Sequence, residues 1–138
     1  MKFEEIYNKV RLDIQMNPEE AKELYSWADK LDAGSVLVEI GTWKGGSAQV
    51  IAAAQEEKES KIYTIDNYRT DIFPSGRQEP RETTDRLTNS GLKNITMLIG
   101  DSKSFSESWN YGFIDLLFID GDHKYEAVCE DINIWLPH

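Results

Sequence analysis

Apolar residues recur with two different periods along this chain of 138 residues. Phe3, Ile6, Tyr7, Val10 and Ile14 share one face at helical spacing. Asn17 followed by Pro18, with Glu20 at the third helical position, predicts a capped helix start. Ala21, Leu24, Tyr25, Ala28 and Leu31 continue as that helix's stripe, and Gly34 is expected to end it. The pattern then changes. Val36 to Ile40, Ile62 to Ile65, Ile95 to Ile99 and Ile114 to Ile119 are short apolar runs rich in β-branched residues, which predicts strands buried on both faces. Helical segments are predicted between them: about Ala48 to Glu57, about Glu79 to Asn89 before Gly91, and a short one near Ser104 to Trp109. Tyr125, Val128, Cys129, Ile132 and Leu136 stripe a final helix. Strands alternating with helices predict an α/β fold: a parallel sheet with flanking helices, preceded by two helices. The length fits one domain over 1–138.

The first strand runs into Gly41-Thr42-Trp43-Lys44-Gly45-Gly46-Ser47. A strand, a glycine-rich turn and a helix start form a cradle for a nucleotide-like ligand, since glycines admit close backbone approach and early helix N–H groups lack partners. A dinucleotide turn wants G-x-G-x-x-G; here the spacing is G-x-x-x-G, with Glu39 two residues before Gly41. That carboxylate disfavours phosphate and suits a cation or a hydroxyl. Asp66 ends the second strand, 25 positions after Gly41. An acidic residue at that spacing holds ribose hydroxyls, or else serves a turn or a helix cap. Asp101 follows the third strand and also reads as an N-cap. Asp120, Asp122 and His123 cluster after the fourth strand, where two carboxylates and an imidazole can bind a hard cation or move a proton. Asp122 also reads as a cap of the last helix, with His123 in its first turn.

Composition narrows the partners. Twenty-five acidic against 15 basic residues leave a formal charge of −10, which argues against nucleic acid and anionic membranes. Four of the five arginines, Arg69, Arg77, Arg81 and Arg86, lie in or just after the polar stretch 67–80 and read either as an anion site or as a solvated helix face. Cys129 is the only cysteine, which fits a reducing, cytoplasmic setting. No run approaches the ~18 apolar residues of a membrane helix.

Glu39-x-Gly41, Asp66, Asp101 and the string Phe118-Ile119-Asp120-Gly121-Asp122-His123-Lys124-Tyr125-Glu126 occur in order. Together they resemble the class I S-adenosylmethionine-dependent methyltransferases, in particular a branch grouped with cephalosporin hydroxylase-like and sugar O-methyltransferase-like proteins. The resemblance runs from about Leu31 to the end. It implies a Rossmann-like sheet of order 3-2-1-4, with 1–34 as a helical cover and 35–138 as a cofactor-binding half. It implies S-adenosylmethionine as methyl donor and a small-molecule or sugar hydroxyl as acceptor. Glu39 would hold the donor's amino group directly or through water. Gly41, Thr42, Trp43, Gly45 and Ser47 would form the cradle. Asp66 and Asn67 would take the ribose, with Asp101 and Ser102 near the adenine. Asp120 would ligate Mg²⁺, and Asp122 or His123 would deprotonate the acceptor.

The family's sheet has seven strands, and a fifth strand with an acidic pair completing the metal shell is absent from this sequence. The chain therefore reads as carboxyl-terminally truncated or naturally short. Its fourth strand should form an apolar sheet edge, which predicts self-association into a homo-oligomer. A catalytically inactive cofactor-binding or assembly fragment is the rival reading; a nicotinamide or nucleotide-sugar enzyme is a third, opposed by the missing third glycine.

Overall fold

The computed structural model describes residues 1–68, 80–121 and 124–138. Two helices, α1 (Phe3–Val10) and α2 (Pro18–Asp29), precede the alternating part. There follow β1 (Val36–Ile40), α3 (Gly46–Ala54), β2 (Lys61–Asp66), α4 (Pro80–Asn89), β3 (Ile95–Ile99), α5 (Ser102–Glu107), β4 (Leu116–Ile119) and α6 (Tyr125–Trp135). The four strands are parallel, as the sequence pattern predicts, and ordered β3-β2-β1-β4, as the resemblance implies.

The pleat sorts alternate residues to two cores. Leu37 and Ile62 face one side with Ile6, Val10, Leu24, Val50 and Ile51, so α1, α2 and α3 cover that face. Val38, Ile40, Tyr63 and Ile65 face the other with Trp135, under α5 and α6. Both faces of β1 are therefore dry, which is why its sequence shows no polar alternation except Glu39.

Local signals hold with small shifts except on α6, where Tyr125, Ile132 and Leu136 of the predicted stripe are exposed and Trp135 is buried instead. Asn17 Oδ1 accepts the Glu20 N–H at 2.9 Å and Glu20 Oε2 accepts the Asn17 N–H at 3.0 Å, a reciprocal capping box. The α1 stripe stops at Val10, and Ile14 packs against the core from the linker. Gly34 lies beyond α2, in the turn to β1 at φ +81°, where its N–H reaches the Lys58 carbonyl at 2.8 Å. Helix α3 starts two residues earlier than predicted and ends at Ala54. Helix α5 starts at Ser102 because Asp101 caps it.

The strand order fixes the site. The chain runs outward from β1 to β2 to β3, then returns to place β4 on the other flank of β1. The connections from β1 and β4 thus part in opposite directions, leaving a crevice at the carboxyl ends of those strands.

Candidate cofactor cleft

Gly41 and Gly121 define the floor of this crevice. Gly41 sits at φ +98°, and a Cβ there would collide with the Asp120 carbonyl oxygen and lie 2.6 Å from the Gly121 Cα. Its N–H reaches the Ile65 carbonyl at 2.7 Å, while the Asp120 N–H reaches the Ile40 carbonyl at 2.7 Å. Glycine is required here by protein contact as much as by any ligand.

Asp66 organises the turn. Its Oδ2 accepts the N–H groups of Thr42 and Trp43, each at 2.9 Å, and its Oδ1 accepts the Tyr68 N–H at 2.8 Å. A carboxylate offers about four acceptor positions, so Oδ1 retains capacity for a hydroxyl. The turn's N–H groups at 42 and 43 are thereby spoken for, and the Gly46 N–H goes to the Asp13 carbonyl at 3.2 Å.

Glu39 is fully buried. Pleat alternation sends its side chain toward α3, where Ser47 donates to Oε1 and Thr64 to Oε2. Thr64 and Thr42 hydroxyls pair at 2.6 Å, extending the network under the turn. Burial pushes the Glu39 carboxyl up to about 8 against the two hydroxyl bonds, and the charges of Asp120 and Asp66 push in the same direction. Burial thus favours the protonated form of the group. Glu39 therefore lies behind the turn, and neither oxygen reaches solvent.

The remaining expected residues divide. Asp101 is exposed and its Oδ2 accepts both the N–H and the hydroxyl of Ser104 at 3.1 Å, so its capping role is present. Ser102 donates to Asp131 Oδ1 at 2.8 Å and accepts from the Trp135 indole at 2.7 Å, which joins α5 to α6. Asn67 is exposed just past β2. Asp120 is half-buried at the tip of β4, beside Gly41. Asp122 and His123, and with them Arg69 and Arg77, lie outside the described residues.

Several residues that hold the turn escape a sequence reading. The Trp43 carbonyl accepts the Tyr68 hydroxyl at 3.0 Å and the Thr83 hydroxyl at 2.9 Å. Burial raises the Tyr68 phenol well above its ordinary range, with the Asp66 and Glu39 charges adding to it and hydroxyl bonds opposing. Trp43 itself adopts φ +47°, uncommon for a bulky residue. Arg86 of α4 donates to the Lys44 carbonyl at 3.0 Å. A β2 threonine in register with Glu39 was the available sequence signal, but register is not written in local pattern.

Mg²⁺ demands an octahedron of oxygens. No cluster of metal-binding side chains forms among the described residues, which leave out Asp122 and His123. The crevice offers hydroxyl-accepting carboxylate positions within a negative field, which favours a neutral or cationic ligand over a phosphate.

Comparison with known proteins decides the family. A family model described as a methyltransferase domain matches residues 38–138. The chain belongs to the methyltransferase-domain family. Its fold is shared with a Staphylococcus aureus protein assigned as a caffeoyl-CoA O-methyltransferase, at TM-score 0.70 and 15% identity, covering 99% of this chain and 61% of that one. It is shared equally with TomG of Streptomyces achromogenes, an O-methyltransferase of tomaymycin synthesis solved with S-adenosylmethionine, at TM-score 0.70, 18% identity, 98% and 59% coverage. An uncharacterized protein of Acanthamoeba polyphaga mimivirus is 30% identical over 106 residues, 73% of this chain and 45% of that one. The chain thus spans about half the length of the relatives it matches. Among the described residues of this methyltransferase-domain protein, no helix is long and apolar enough to cross a membrane.

Proposed function

We propose that this methyltransferase-domain protein binds S-adenosylmethionine in the β1/β4 crevice and serves O-methylation of a small molecule or sugar. The observation that carries the reading is Asp66: it fastens the glycine turn through Oδ2 and keeps acceptor capacity on Oδ1 at the switch point. Asp66 Oδ1 would receive ribose hydroxyls, assisted by Asn67. The backbone from Gly41 through Thr42, Trp43 and Gly45 to Ser47 would line the cradle. Asp101, on the oxygen not engaged by Ser104, would meet the adenine amino group, with Ser102 holding α5 in place. Glu39, closed off behind Ser47 and Thr64, would act on the donor's positive end through its hydroxyl partners rather than by direct contact.

When bound, the donor supplies an electron-poor methyl group attached to sulfur. The acceptor oxygen attacks it in line, the O–C bond forms as the S–C bond breaks, and the acceptor proton passes to a base. Asp122 or His123 would take that proton, with Asp120 just before them beside Gly41. Positioning and deprotonation are the tasks such a site must perform. No step is routed through Mg²⁺; Asp120 would be its ligand, and the metal would make the acceptor hydroxyl more acidic.

Titration calorimetry with S-adenosylhomocysteine tests the reading. Saturable one-to-one binding is expected, weakened at least tenfold in Asp66→Asn while the thermal midpoint stays within a few degrees. Absence of heat up to millimolar ligand, or equal binding by the variant, refutes it. A second reading has its own observation. The β4 edge and α2 flank a mainly apolar groove lined by Met16, Leu24, Trp27, Leu116 and Phe118 with Glu20 and Glu23 beside them, which favours assembly of copies of this chain into a homo-oligomer, with or without turnover.

A further inference from the structure

We infer that Asp13 and Arg86 form a latch that sets the conformation of the ligand-binding turn. The inference rests on the reading above for its ligand, and on the following contacts for its geometry. Arg86 Nη1 donates to the Lys44 carbonyl at 3.0 Å, and Arg86 Nε lies 3.3 Å from Asp13 Oδ2. Asp13 in turn accepts the Gly46 N–H on its backbone carbonyl at 3.2 Å. These links close a ring: Lys44 carbonyl, Arg86 guanidinium, Asp13 carboxylate, Asp13 carbonyl, Gly46 N–H. The ring encloses Gly45, which stands at φ +81°, a conformation that glycine adopts without steric cost.

The surroundings leave little slack on either side. A Cβ on Gly46 would strike the Asp13 carbonyl oxygen and come within 2.8 Å of Ile14 Cβ; a Cβ on Gly45 would come within 2.8 Å of Leu87 Cδ2 on α4. The linker after α1 and helix α4 therefore grip adjacent glycines, and the Asp13–Arg86 pair joins the two grips. A planar guanidinium can serve a carbonyl and a carboxylate at once; an ammonium holds no such fixed fork. Both side chains are partly withdrawn from water, at 24% and 30% exposure, so the pair is short of a surface ion pair's full screening. Its contribution to global stability should be small. Its effect on the turn should be larger, because misplacing a binding element by about 1 Å can cost a hundredfold. The arginine clustering noted in the sequence thus has, at Arg86, a purpose other than an anion site or a solvated face.

Two measurements on the full chain test the latch. The first is ligand-free amide hydrogen exchange of the segment 43–48. Arg86→Gln and Asp13→Asn should each speed exchange there about tenfold, with exchange in β1 and β2 unchanged; Arg86→Lys should give an intermediate rate. The second is the dissociation constant for S-adenosylhomocysteine. Each single variant should weaken binding about tenfold, and the double variant no more than either alone. Unchanged exchange at 43–48 in both Arg86→Gln and Asp13→Asn overturns the latch, as do multiplicative losses in the double variant. Wild-type protein that fails to bind the ligand refutes the proposed function, and the exchange measurement then decides the latch by itself.

Discussion

A carboxyl group without exposed surface stays uncharged unless something positive meets it, and Glu39 is such a group. Its carboxyl is pushed up to about 8 in the folded chain, against an ordinary value of 4.5. Below the ordinary value both folded and unfolded chains carry the proton. Between it and about 8 the unfolded chain ionises first, so raising the pH removes stability across that window. Glu39→Gln cannot ionise and lacks this slope. The difference in unfolding free energy, wild type minus variant, should fall by a few kcal/mol between pH 5 and pH 8. Denaturant melts at four pH values across that range measure it. A flat difference would mean that Glu39 is ionised in the fold, and would place a cation nearby that the described contacts lack.

At the scale of elements, β4 carries the most exposed commitment. It pairs with β1 along one side, and among the described strands none lies on its other side. Leu116 and Phe118 face the α2 core and Leu117 and Ile119 the α6 core, yet all four remain half-buried rather than buried. Trp27 of α2, beside the same groove, is 54% exposed. Apolar edges associate, so sedimentation velocity should show a concentration-dependent shift to dimer or larger between about 1 and 100 μM. A single monomer species throughout would remove the assembly reading. Strand identity was legible in the sequence because both faces of each inner strand are dry and the runs are continuous, while strand order came from the family resemblance. The capping box at Asn17 was legible because it is local. What holds the turn was not. Asp13, Thr64, Thr83 and Arg86 reach it from three separate segments, and no short-range pattern says that an arginine on α4 meets the Lys44 carbonyl. Glu39 was legible as a site residue, but its burial behind Ser47 and Thr64 depends on the β1–β2 register.

For the molecule as a whole, three layers and one reversal of strand order create the crevice, and the carboxyl groups of Asp66 and Asp120 at the tips of β2 and β4 give it its character, with Glu39 buried behind the turn. With a formal charge of −10, the long-range field repels anions as well. The central claim is that this crevice receives the adenosyl end of S-adenosylmethionine over Asp66. The most direct test is a crystal of the full chain soaked with S-adenosylhomocysteine. Ribose hydroxyls within hydrogen-bonding distance of Asp66 Oδ1, with the ligand lying along the turn from Gly41 to Ser47, are the predicted result. Ligand density elsewhere on the molecule, or a crevice filled by the protein's own side chains at saturating ligand, would contradict the account.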